Sequence, residues 1–255
     1  MTLHELDTYF RSFLHIEDFM ADPSKNGIQV ENSDIYNKQI HKVAFTVDAC
    51  IETIEKAIEN NVDVIFVHHG IFWGHEQTIT GNHFRRIKML IDNDIALYAC
   101  HIPLDAHNEV GNNYGLAKML NLKNAAPFGE WKNMNIGVKG QFDKEISLDD
   151  LTNRLRAFSI NPTIVLPFGK KTLNTIAIVS GAADDLLTEA INTPVDVYIT
   201  GEISHETYHH AKEHTINVIA GGHYATETIG VSLVAKKLTA EKQIETLFFD
   251  VPTGL

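Results

Sequence analysis

Four short stretches of this 255-residue chain carry candidate ligands, three of them pairing imidazole with carboxylate and one a histidine pair. They are His68-His69-Gly70, the run from His101 to Asp105, the run from His223 to Glu227, and His205-Glu206-Thr207-Tyr208-His209. The last fits H-E-x-x-H, in which two histidines one helical turn apart hold zinc and the glutamate is the base. The other three offer imidazole and carboxylate without a thiolate. That mixed nitrogen and oxygen set suits zinc, manganese, iron, cobalt or nickel better than calcium. Ions of this kind lower the pKa of a water and so serve hydrolytic chemistry.

The elements that must carry these residues read as an α/β protein. HKVAFTV (41–47), VDVIFV (62–67) and DIALYA (94–99) are apolar strand-like runs, and ACIETIEKAIEN between the first two has helical spacing. This is the βαβ pattern of a buried parallel sheet. NIGVKGQF (135–142), TIVLPF (163–168), NTIAIVS (174–180), VDVYIT (195–200), INVIA (216–220) and the late IETLFFDV read as further strands. Ser147, before SLDDLTNRLRAF continues into acids, is a helix N-cap candidate.

A repeat runs through the chain at an offset of 133, which maps VAFTVDA (43–49) onto IAIVSGA (176–182). It also maps 57–70 onto 190–203, so that His68-His69 falls on Gly201-Glu202. At an offset of 122, His101 and Asp105 fall on His223 and Glu227. Ligands of parallel α/β sheets collect beyond the C-terminal strand ends, and three predicted strands end at these candidates. Adjacent strand residues point to opposite sides, so two ions, one on each of His68 and His69, with Asp105 and Glu227 able to bridge, answer the geometry. H-E-x-x-H fits less well. It needs a regular helix and a third ligand downstream, whereas a strand and a glycine turn separate His209 from Glu227. His209, His210 and His214 therefore read as an exposed, partly charged helix face.

Apolar residues make up 44% and charged residues 21%, with a net charge of −12, so no basic nucleic-acid footprint is expected. Two cysteines, Cys50 and Cys100, exclude a disulfide framework and a cysteine-rich zinc site. The N-terminal stretch has helical spacing rather than the pattern of a signal peptide, and no apolar run is long enough for a membrane span. A cytoplasmic protein is the expectation. The composition changes near NAAPFGEWKN (124–133), which places two similar three-layer α/β domains with mostly parallel sheets at 1–128 and 129–255. The C-terminal segment is able to pack back on the first.

DPSKNGIQVEN (22–32), VHHGIFW (67–73), ACHIPLDAHNEVGNN (99–113), ITGEIS (199–204) and AGGHYATETIG (220–230) carry a resemblance over nearly the whole chain. The sequence resembles the GTP cyclohydrolase 1 type 2 homologs, the Nif-three-like family. The resemblance implies two α/β domains per subunit, a homohexamer, and a dinuclear metal centre in the cleft between domains. It implies ligands at His68, His69, Asp105, His223 and Glu227, with His101 as a supporting or alternative ligand. The family name implies hydrolytic opening of the guanine ring of GTP, yet the chain has no P-loop. The expected function is metal-dependent hydrolysis of a nucleotide-like or phosphorylated small molecule. A non-catalytic metal-handling or adaptor role is the alternative. Glu202, as the counterpart of His69, and Glu227 are the candidate catalytic carboxylates. His107 is expected to orient a ligand carboxylate, Asp48 ends the first repeat strand, Asn112 and Asn113 are expected to cap the next helix, and Phe72 and Trp73 read as core or subunit-contact residues.

Overall fold

The computed structural model describes residues 1–255. Its elements run α1 (Leu3–Leu14), β1 (Gly27–Val30), β2 (Lys42–Asp48), α2 (Ile51–Glu59), β3 (Val64–His69), α3 (Gly81–Asp92), β4 (Ala96–Ala99), α4 (Ile102–Ala106) and α5 (Asn112–Met119). They continue with β5 (Lys123–Trp131), β6 (Met134–Ser147), α6 (Leu148–Ala157), β7 (Ile164–Pro167), β8 (Thr172–Ala182) and α7 (Leu187–Asn192). The last are β9 (Val197–Glu202), α8 (His205–Glu213), β10 (Asn217–Ala220), α9 (His223–Lys242) and β11 (Glu245–Phe248).

Two compact units result, residues 1–104 with 231–251 and residues 105–230 with 252–255. The divisions fall within α4 and α9. The residues around 124–133 that suggested a boundary form β5 and the turn into β6 instead, with Lys132 and Asn133 at positive φ. The exposed positions that change the composition there belong to a sheet-edge hairpin, not a linker.

The first unit holds the sheet β1-β4-β3-β2-β11, with β11, β2, β3 and β4 parallel and β1 antiparallel. The C-terminal segment thus pairs with β2. Strand residues are apolar on both faces, so helices cover both sides. Ala44, Ile65, Val67, Leu97 and Ala99 pack with Ile54 and Ala57 of α2 and Leu90 of α3. On the other face the Phe10 ring of α1 lies 5.0 Å from both Phe66 and Tyr98. Helix α1 starts at a Thr2–Glu5 capping box, a device that contributes about 1 kcal/mol.

The second unit holds the sheet β5-β6-β8-β9-β10-β7. Only β8, β9 and β10 run parallel; β5, β6 and β7 are antiparallel to their neighbours. Parallel pairing is therefore confined to a three-strand core here, because β5 and β6 are joined by a tight hairpin that cannot supply a crossover. Ser147 caps α6 as its sequence suggests, in a capping box with Asp150.

Both units share the order β1-β4-β3-β2 and β7-β10-β9-β8, each with its first strand antiparallel. Asp63 accepts the backbone N–H groups of His41 and Lys42, and Asp196 those of Asn174 and Thr175, each 133 residues later. Duplication thus extends to single hydrogen bonds. Val64 pairs with Ala96 and Val197 with Asn217, so the third strands correspond at an offset of 121. His223 consequently stands one residue beyond the structural counterpart of His101, not on it. No helix is long and apolar enough to cross a membrane.

Candidate metal centre

In the first unit, β3 delivers His68 and His69, and the chain leaving β4 delivers His101. Their rings lie 4.7–5.6 Å apart, and the three can offer ligand atoms within 4.8 Å of one another. Strict strand alternation would have separated His68 from His69; at the last residue of β3 that alternation is relaxed. Each ring is oriented through Nδ1. His68 donates to the Cys100 carbonyl at 3.0 Å, His69 to Asp48 Oδ1 at 2.9 Å, and His101 to Asp22 Oδ1 at 2.9 Å. An oxygen that only accepts fixes the proton on Nδ1 and the lone pair on Nε2, the arrangement metal-binding histidines require.

Asp22 is itself built in. It accepts from Asn26 and from the N–H groups of Ser24 and Ile102. Burial alone would raise its pKa, but the His101 bond and charge, with Asn26 and Ser24, outweigh that and hold it below the usual carboxylate value. Gly70 lacks a side chain for reasons of space rather than turning: a Cβ there would meet the amide of Gln29, which grips the following loop through the N–H groups of Ile71 and Phe72.

In the second unit, α4 holds Asp105, 6% exposed, whose Oδ1 accepts from Asn112 Nδ2 at 2.9 Å and Ser180 Oγ at 2.8 Å. Helix α9 opens on His223 and places Glu227 one turn later, with His223 Nε2 3.2 Å from Glu227 Oε2. Glu202, the last residue of β9, accepts from His223 Nδ1 at 2.5 Å. Burial alone would lower the His223 pKa, yet Glu227 and Glu202 together push it up to about 9. Gly181 is required beside this group. Its φ is +70°, and a Cβ there would fall on Glu227 Oε1.

Asn112 and Asn113 do not cap α5 through their side chains. Asn112 Oδ1 accepts from Gly230 N–H, while Asn113 bonds the Ile136 carbonyl and the Ser180 N–H. Both are fully buried cross-braces. His107 spends Nδ1 on the N–H groups of Glu109 and Val110, and so closes a turn. Trp73 lies edge-on to His101 at 5.1 Å, its indole N–H on the Gly70 carbonyl, and Phe72 packs against the core of the first unit. His205 and His209 are exposed at the start of α8 and join no group of three ligating side chains. The sequence reading missed Asp22, Asn26, Gln29 and Ser180. The only available signal was their place in or near stretches quoted above.

A sequence model of Duf34/NIF3 (NGG1p interacting factor 3) matches residues 1–254. The chain belongs to the Duf34/NIF3 family. It is 43% identical to the GTP cyclohydrolase 1 type 2 homolog of Treponema pallidum and 40% identical to that of Pyrococcus abyssi, with each chain covered in full. A crystal structure from Thermus thermophilus matches at TM-score 0.90 and 40% identity, again over the whole of both chains. The likeness to solved structures agrees with the α/β architecture of two mixed sheets described above.

Whether this NIF3 chain can hold a metal is a question for its donors. Its His, Asp and Glu groups include sets able to hold an ion. Four histidines, 68, 69, 101 and 223, each direct Nδ1 to an oxygen. The residues present fit a divalent transition-metal ion.

Proposed function

We propose that the protein is a dinuclear divalent-metal hydrolase acting on a nucleotide-like or phosphorylated small molecule, with His68, His69, Asp105, His223 and Glu227 as ligands. The observation that carries this reading is the Nδ1–oxygen bond shared by the candidate histidines, which orients each ring and, in His68 and His69, leaves the lone pair on Nε2. His101 has the same bond and is added to the ligand set. Ions held there would lower the pKa of a water and offset negative charge developing on the substrate.

The chain's own contribution is orientation and proton handling. Asp48, Asp22 and Glu202 hold the imidazoles. Ser180 and Asn112 fix one oxygen of Asp105. Glu227, 3% exposed, is the carboxylate proposed to accept the proton of the attacking water. Turnover of a nucleotide-like or phosphorylated substrate by metal-loaded protein should fall by about a hundredfold or more in Glu227→Gln; activity that survives the substitution contradicts the reading.

A metal-handling protein without turnover is the second reading. It is favoured by the engagement of Glu202 with His223, which gives this carboxylate an orienting role in place of the acid/base role suggested by the repeat. A homohexamer is proposed from the family resemblance, with exposed Phe84 and Ile91 of α3 available for subunit contact.

A further inference from the structure

The histidines of α8 and its C-cap lie outside the groups described above, yet four of them fall within ten residues, at 205, 209, 210 and 214. The helix is fixed along one stripe. Thr207 and Ala211 are buried, Thr207 bonds Asp184, and the Tyr208 ring meets Phe168 edge-on at 5.1 Å. His210, half-buried, and His214, exposed, stand one turn apart beside that buried stripe. Their ring centroids are 4.8 Å apart. His214 donates Nδ1 to the His210 carbonyl at 2.9 Å, which leaves its lone pair on Nε2 and pins the ring beside its neighbour. The His205 and His209 rings are further apart, at 6.5 Å.

We propose that α8 carries a second, peripheral metal site in which His210 and His214 chelate one late first-row ion, with nickel, copper or zinc as the class of ligand. Two neutral imidazoles one turn apart form a bidentate nitrogen site, and such sites follow the order that favours nickel, copper and zinc over manganese. The Nδ1 bond holds the His214 ring in place before the ion arrives, so less conformational freedom is lost on binding. Water completes the coordination, and the ion exchanges readily. The site is independent of the proposed dinuclear centre and stands whether or not that centre is catalytic.

The test uses the full chain, loaded with zinc and freed of loosely held ions on a chelating resin, then titrated with Ni2+ by calorimetry. The parent should take up about one further Ni2+ per chain. His210→Ala and His214→Ala should each weaken that uptake by at least about tenfold, as losing a ligand costs no less than losing the partner that orients one. His205→Ala should leave it unchanged, and thermal melting should show all variants folded. Retention of the untagged chain on immobilised Ni2+ should fall in the same two variants. No further uptake, uptake unaffected by both substitutions, or loss in His205→Ala instead overturns the proposal.

Discussion

His223 shows at the scale of one residue how the chain is prepared for a cation. Both ring nitrogens meet carboxylates, Glu202 at Nδ1 and Glu227 at Nε2, and the imidazole stays protonated up to about pH 9. In the metal-free chain the proton supplies the positive charge between two carboxylates. Because the folded pKa is raised from 6.5, this charge stabilises the fold fully below pH 6.5 and the benefit is lost as pH rises through about 9. An ion taking Nε2 must displace that proton. Metal uptake at pH 7.5 is therefore expected to release about one proton per chain from this residue. Calorimetry in buffers of different ionisation enthalpy measures it. Glu202→Gln should reduce the release, since a neutral amide no longer holds the His223 pKa so high. Equal release in parent and variant contradicts this account of His223.

The repeated aspartates set the matter at the scale of elements. Asp63 and Asp196 each tie the start of one central strand to the start of its neighbour through two backbone N–H bonds. Asp196 also meets Lys170. Burial would raise its pKa, but Lys170, the Thr175 and Asn174 N–H groups and the Thr175 hydroxyl hold it low. Its contribution is thus present above the ordinary pKa of about 4 and fades as pH falls through the lower folded value. Asp63→Asn and Asp196→Asn should each destabilise by about 1–3 kcal/mol at pH 7. In denaturant melts the Asp196→Asn loss should shrink towards pH 3.

These central elements were legible in sequence because β2, β3, β8 and β9 are apolar on both faces and ended by residues that break the pattern. β1 and β5 were not legible, since an edge strand such as β5, exposed at Lys123, Asn124 and Ala125, has no continuous apolar run. Asp22 was hidden for a different reason. Its role depends on His101, 79 residues away, and no local spacing encodes that meeting.

The whole molecule is a duplicated chain whose two units keep one sheet core and differ at the strand ends where chemistry is expected. His68-His69 correspond to Gly201-Glu202, and the proposed donors are three histidines in the first unit and Asp105, His223 and Glu227 in the second. With a net charge of −12, divalent ions at the proposed centre would be the local attractor for the proposed anionic substrate. The proposed hexamer predicts a solution mass near six times 28.5 kDa by light scattering; a monomer at micromolar concentration contradicts it.

The central claim is that the metal belongs to His68 and its partners and not to the H-E-x-x-H run of α8. Elemental analysis of parent, His68→Ala and His205→Ala, after loosely held ions are removed on a chelating resin, tests it most directly. Two ions per chain in the parent and in His205→Ala, with a clear loss in His68→Ala, is the predicted result. Full metal content in His68→Ala with loss in His205→Ala would contradict the account.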